Sequence, residues 1–274
     1  MIPVTMQHIP VVLVHGWKSH PGIWNRLVPR LQHENIPFWN FDQTPLNGAS
    51  VEEIATTLQS TITAVREERR YTGSIDIVCH SMGTCIARYM LEVLDGKARN
   101  EQVRQLIGIG PPNNGSALAE LFNHPVYGKE IITKLSGVFV PHGYDPADDL
   151  IVQQFRPGSP TMQTLAAAGL HEDITYRIIC AENLTRAPGF FPSFNGKTWE
   201  ASPSGGWQET YAGDGIVPHS DSVLTGAAVE ILPANPAVLE GCSDDYCHIR
   251  LTRNPEVVDR VMGYLKNHKH TSGS

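Results

Sequence analysis

Apolar residues along the chain alternate between short unbroken runs and longer stretches at helical spacing. Val11 to Val14 form a continuous, mostly β-branched run ending at His15-Gly16, the pattern of a parallel strand buried on both faces. From Pro21 to Leu31, the residues Ile23, Trp24, Leu27, Val28 and Leu31 recur at helical spacing, with Pro21 suited to a first turn. Pro37 to Phe41 make a second short strand, and Val51 to Val65 a helix with Ser50 as N-cap. Ile75 to Cys79 form a strand followed at once by a helix holding Ile86, Ala87, Met90, Leu91 and Leu94. Further strands are expected at Val103 to Ile109, Ile174 to Cys180 and Val229 to Leu232, and a last helix over Pro255 to Lys266.

Strands alternating with helices imply an α/β fold with a mostly parallel sheet, of about six strands here, covered by helices on both faces. Two stretches break the rhythm. Residues 113–170 hold a helical pattern of their own around PHGYDPADD, and residues 181–213 are rich in Gly, Pro, Ser and aromatics. Loops this long in a compact domain usually form caps or binding walls. The expectation is therefore one domain, 1–274, with a cap or lid inserted at about 113–170. A single core still grows to roughly this length.

Composition narrows the class. Lys+Arg 21 against Asp+Glu 28 leave a formal net charge of -7, which argues against sequence-independent nucleic-acid binding. No run of about 18 apolar residues exists, so no transmembrane segment is expected. The start, MIPVTMQHIPVVLVHG, does not read as a signal peptide; the chain reads as cytoplasmic, or as a secreted form whose signal has been removed. Of five cysteines, Cys79, Cys85 and Cys180 sit in apolar runs and read as buried thiols. A Cys242–Cys247 disulfide would close only a small loop and gain little, so two free thiols are favoured there.

The junction Val78-Cys79-His80-Ser81-Met82-Gly83 carries the sharpest chemical signal. A serine where a strand turns abruptly into a helix has its Oγ pushed off the sheet on a strained backbone. The usual pattern is G-x-S-x-G, with Cys79 here in the place of the first glycine. A serine hydroxyl needs a base and an orienting carboxylate, which follow in the order acid, then histidine. Asp214 lies on a tight glycine turn, GDGIVP, after the fifth apolar strand, and His248 lies ahead of the final helix. Both fall where strand carboxyl ends converge on Ser81. His219 is the rival base; Asp221, Asp244 and Asp245 are rival acids; His268 and His270 sit in a polar tail. For the oxyanion, the Trp17 N–H after His15-Gly16 and the Met82 N–H at the helix start are the candidate donors. His15 itself reads as a brace for its loop. No metal-ligand spacing and no phosphate-binding glycine loop is present, so neither a metal nor a cofactor is expected.

These segments resemble the α/β-hydrolases, and within them the bacterial lipases and esterases. The likeness rests on VVLVHGW at 11–17, IDIVCHSMGT at 75–84, IGIGPPNNGS at 107–116, GDGIVP at 213–218, and His248 followed by NPEVVDRVMGYL. It covers both ends of the chain well and the middle hardly at all. The resemblance implies an α/β-hydrolase fold, with Ser81 as nucleophile, Asp214 as acid, His248 as base and Trp17 and Met82 as oxyanion donors. It also implies that GPPNNGS leads into a lid. Some relatives bind calcium through an aspartate shortly after the histidine, but His248-Ile249-Arg250 offers none.

The implied activity is carboxylic ester hydrolysis on a small-molecule or lipid substrate, with an amidase, thioesterase or acyltransferase, or a non-catalytic binding protein, as alternatives. Leu118, Leu121, Phe122, Ile131, Ile132, Leu135 and Val138 form an apolar stripe, either a lid facing lipid or a packed cap helix. Phe190, Phe191, Phe194, Trp199 and Trp207 precede the acid and are candidate walls of an acyl pocket. Substrate contact is thus expected at Leu118, Leu121, Phe122, Phe190 and Phe191, with transient contact at a lipid interface.

Overall fold

The computed structural model describes residues 8–266. Its strands are β1 (Val11–Val14), β2 (Phe38–Phe41), β3 (Ile75–His80), β4 (Val103–Ile109), β5 (Thr175–Ala181), β6 (Thr198–Ala201), β7 (Trp207–Thr210) and β8 (Ala228–Leu232). Six of them form one sheet in the order β2-β1-β3-β4-β5-β8, parallel throughout. Every residue of β1 and β3 is buried, because helices cover both faces and leave no side of these strands to water.

The helices are α1 (Leu27–His33), α2 (Val51–Arg69), α3 (Met82–Arg88), α4 (Ala117–Phe122), α5 (Gly128–Leu135), α6 (Leu150–Gln154), α7 (Pro160–Ala168), α8 (His219–Ser222), α9 (Leu239–Cys242) and α10 (Pro255–Lys266). Helix α1 packs against α10, while α2 packs against α3. Ser50 caps α2 as expected, and reciprocally: its hydroxyl accepts the Glu53 N–H, and the Glu53 carboxylate accepts the Ser50 N–H at 2.7 Å.

Three expectations need correction. The single helix over Pro21 to Leu31 is a 3-10 turn, Pro21–Trp24, followed by α1. Pro29 has no N–H to continue a helix from Asn25, but in the first turn of α1 that group has no partner to lose. The helix after Ser81 changes at Tyr89 to a π-helical stretch, Tyr89–Asp95. The loop 181–213 contains a hairpin, β6 paired antiparallel with β7. All five cysteines are free thiols. His268 and His270 lie outside the described residues.

Candidate active site

The strand-to-helix turn is strained where the chemistry needs it. Ser81 sits at φ 54, ψ −131 between β3 and α3, a region that non-glycine residues enter only when the surroundings hold them there. Two buried surfaces do so. Helix α3 starts against β1, and a Cβ at Gly83 would stand 2.4 Å from the His15 carbonyl oxygen, so only glycine lets the helix come this close. The preceding position, Cys79, is fully buried, and its side chain is accommodated in the same core.

Above the strand ends Ser81, His248 and Asp214 meet. His248 Nε2 is 2.9 Å from Ser81 Oγ, and His248 Nδ1 is 2.7 Å from Asp214 Oδ2. The carboxylate is fixed from its other side, since Asp214 Oδ1 accepts the Ile216 N–H at 3.1 Å and the Val217 N–H at 2.7 Å. The backbone closes the same unit: the His248 N–H donates to the Asp214 carbonyl at 2.8 Å. With Oδ2 as an acceptor, the proton of the neutral imidazole belongs on Nδ1, which leaves Nε2 free to accept the serine proton. Asp214 and His248 are 1% and 6% exposed, so water competes little for these bonds.

His80 adds a contact that sequence alone does not reveal. Its Nε2 lies 3.1 Å from the His248 carbonyl oxygen, and the two rings sit 4.7 Å apart. Burial, and secondarily the neighbouring His248, hold the His80 pKa well below the ordinary histidine value, so this ring is neutral. His15 is also held below its ordinary value by burial. Its Nδ1 is 3.0 Å from the Gly16 carbonyl, and its Nε2 accepts the Gln43 N–H at 3.1 Å, bracing the loop that presents Trp17.

An apolar cavity of about 160 Å³ opens at Ser81. Trp17, Met82 and His248 line it, as do Leu118 and Phe122. Among the described residues no acceptor takes the Trp17 or Met82 backbone N–H. Leu121, Phe190 and Phe191 do not line the cavity, contrary to expectation. Leu121 is fully buried on another side of α4. Phe191 packs beneath the acid turn, where a Cβ at Gly215 would stand 2.6 Å from its ring, and Phe190 is buried with it. The remaining walls come from residues that periodicity did not single out, among them Phe139, Val152, Phe155, Ile216 and Val217. Ile216 and Val217 could have been found as the apolar pair directly after Asp214.

The rival residues stand elsewhere. His219 Nε2 is 3.1 Å from the Ala181 carbonyl oxygen. Asp221 accepts the Ala117 N–H at 2.6 Å, and burial raises its pKa to about 7. Asp244 and Asp245 face Arg250. Among the described residues no group of three or more His, Cys, Asp or Glu is placed to hold a metal ion, and no helix is long and apolar enough to cross a membrane.

Comparisons with known proteins agree with this architecture. The family described as palmitoyl protein thioesterase matches residues 10–198. Among solved structures, the mature lipase BlEst2 of Bacillus licheniformis is similar at a TM-score of 0.65 and 15% identity, covering 94% of this chain and 92% of that one. Lipase B of Aspergillus fumigatus gives 0.57 at 16% identity, covering 94% of this chain and 54% of that one. Phospholipase PlaB of Legionella pneumophila gives 0.57 at 14%, covering 94% and 59%. No curated protein matches. At these identities the likeness is one of fold, the α/β-hydrolase fold of lipases and esterases.

Proposed function

The chain belongs to the palmitoyl protein thioesterase family, and from that premise we propose that it is a serine hydrolase that cleaves carboxylic esters of lipid-like acids. The observation that carries this reading is the continuous relay from Asp214 through His248 to Ser81, at 2.7 and 2.9 Å, opening into an apolar cavity. In this reading His248 Nε2 takes the Ser81 proton as Oγ attacks the ester carbonyl. The Trp17 and Met82 N–H groups donate to the oxyanion, each such donor contributing about 3–4 kcal/mol to the transition state. The alcohol leaves with the proton from His248, and water releases the acid by the same steps reversed.

Residues 113–170 act as the cap of a single domain. Their supporting feature is position: they leave the sheet just beyond β4, and Leu118, Phe122, Phe139 and Val152 from this segment all face the cavity at Ser81. A second reading, thioester hydrolysis by the same groups, is favoured by the description of the matching family. The two share an acyl-enzyme and differ only in the leaving atom.

The test is hydrolysis of p-nitrophenyl esters of increasing chain length by the wild type, Ser81→Ala and His248→Ala. Activity in the wild type alone supports the assignment. Turnover that persists in Ser81→Ala, or an inactive His219→Ala beside an active His248→Ala, overturns it. Parallel assays on acyl thioesters decide between the two leaving atoms.

A further inference from the structure

A second chamber, of about 250 Å³, lies on the other side of Trp17 from the apolar cavity. The two share Gly16, Trp17, Lys18, Ser19, Met82 and Ile151, so they meet at the corner holding the proposed oxyanion donors. Their chemistry differs. The first cavity is walled by Leu118, Phe122, Phe139, Val152 and Phe155. Lys18, Gln43, Thr44, Asn47 and Asp149 line the second. A carbonyl carbon at Ser81 would therefore have an apolar space on one side and a polar one on the other.

The geometry points to the polar chamber as the leaving-group site, made for a small neutral alcohol that carries further hydroxyls, such as a glyceryl group. This rests on the ester-hydrolase reading and names the other half of its substrate. Charge balance is the first argument. Lys18 Nζ is 3.5 Å from Asp149 Oδ2, and the same oxygen accepts the Trp17 indole N–H at 3.1 Å. The pair leaves the chamber without excess charge. A phosphate would face the Asp149 carboxylate, and a quaternary ammonium would face Lys18.

Hydrogen-bond chemistry is the second argument. Lys18 Nζ also donates to Asn47 Oδ1 at 3.2 Å, which leaves the Asn47 amide N–H₂ as a donor beside the ammonium. The Oε1 of the buried Gln43 has no partner among the described residues, an unsatisfied acceptor of the kind that a hydroxyl relieves. Donors and acceptors together match a hydroxyl, which is both. Thr44 and Asn47 are exposed, so the chamber is open on the side by which an alcohol would depart.

The experiment compares kcat/KM for the 1-glyceryl and n-propyl esters of one fatty acid, which differ only in two hydroxyls. The p-nitrophenyl ester serves as a measure of the chemistry itself. Each productive hydrogen bond is worth roughly fivefold, so the wild type should prefer the glyceryl ester by about tenfold or more. Asn47→Leu should bring the glyceryl-to-propyl ratio toward one, and Lys18→Met should lower it too. A wild type that treats both esters alike overturns the inference, as does a ratio unmoved in both variants. Faster turnover of an S-acyl cysteinyl peptide than of the glyceryl ester also overturns it. If even the p-nitrophenyl ester is untouched, the hydrolase reading itself has failed, and this inference with it.

Discussion

At the scale of single residues, the site depends on a few side chains held in unfavourable states by their surroundings. His80 is the clearest. Its pKa is lowered by burial, so the unfolded chain binds its proton more readily than the folded one. Stability from this group is present above the ordinary histidine value of about 6.5 and is lost as pH falls below it. His80→Gln keeps a side-chain N–H donor for the His248 carbonyl and removes that titration. Melting temperatures from pH 7.5 to 5 should fall less steeply for the variant than for the wild type, by up to about 1.4 kcal/mol per pH unit; parallel curves would contradict the assignment. Asp214→Asn should leave the fold intact and cost ester turnover no more than Ser81→Ala, since residues acting as one unit do not add. Comparison of kcat for the two variants checks this. The residues of this relay were legible in the sequence because each follows a strand, and strand ends are where chemistry gathers. His80 was not, because its bond to the His248 backbone joins positions 168 residues apart.

At the scale of elements, close approach decides which residues the connections accept. Gly110, just past β4, has φ +56, and a Cβ there would stand 2.8 Å from Asp214 Oδ2 and 3.2 Å from His248 Nδ1. Gly110→Ala should lower stability by about 1–2 kcal/mol through backbone conformation alone. It should also reduce kcat by displacing the acid–base pair, whereas a variant that melts earlier with unchanged kcat would refute that contact. Asp221 holds the start of α4 by accepting the Ala117 N–H, yet burial raises its pKa to about 7. Between about 3.8 and 7 the folded state then binds more protons than the unfolded one, so this group subtracts stability as pH rises. Asp221→Asn retains an acceptor for Ala117 and should gain stability relative to the wild type between pH 5 and pH 8. Denaturant unfolding at both values tests the sign. Strands β1 and β4 and helix α10 were legible to the residue, because long apolar runs and a clear helical stripe leave little choice. The hairpin β6–β7 was hidden: its strands are four residues each, largely uncovered, and joined through Pro203, Ser204, Gly205 and Gly206, a composition that reads as loop. Leu121 was misplaced for a related reason. An apolar stripe tells which residues are buried, and not whether they face the core or the cavity.

At the scale of the whole molecule, the sheet presents one reactive edge, and residues 113–170 roof it. If this segment selects the acyl chain, kcat/KM should rise by about three- to fourfold for each methylene until the cavity is full, then fall. Val152 lines the cavity and is 5% exposed. Val152→Asp should lower turnover of long esters far more than of acetate, and equal losses on both would make the segment a support for the fold alone. The central claim is that Ser81 is a nucleophile activated by His248, and covalent labelling by a fluorophosphonate tests it most directly. The account predicts one phosphonyl group per chain, located on Ser81 by peptide mass spectrometry, with labelling slowed by about a thousandfold or more in His248→Ala. A label on another residue, or an equal rate in His248→Ala, would contradict it.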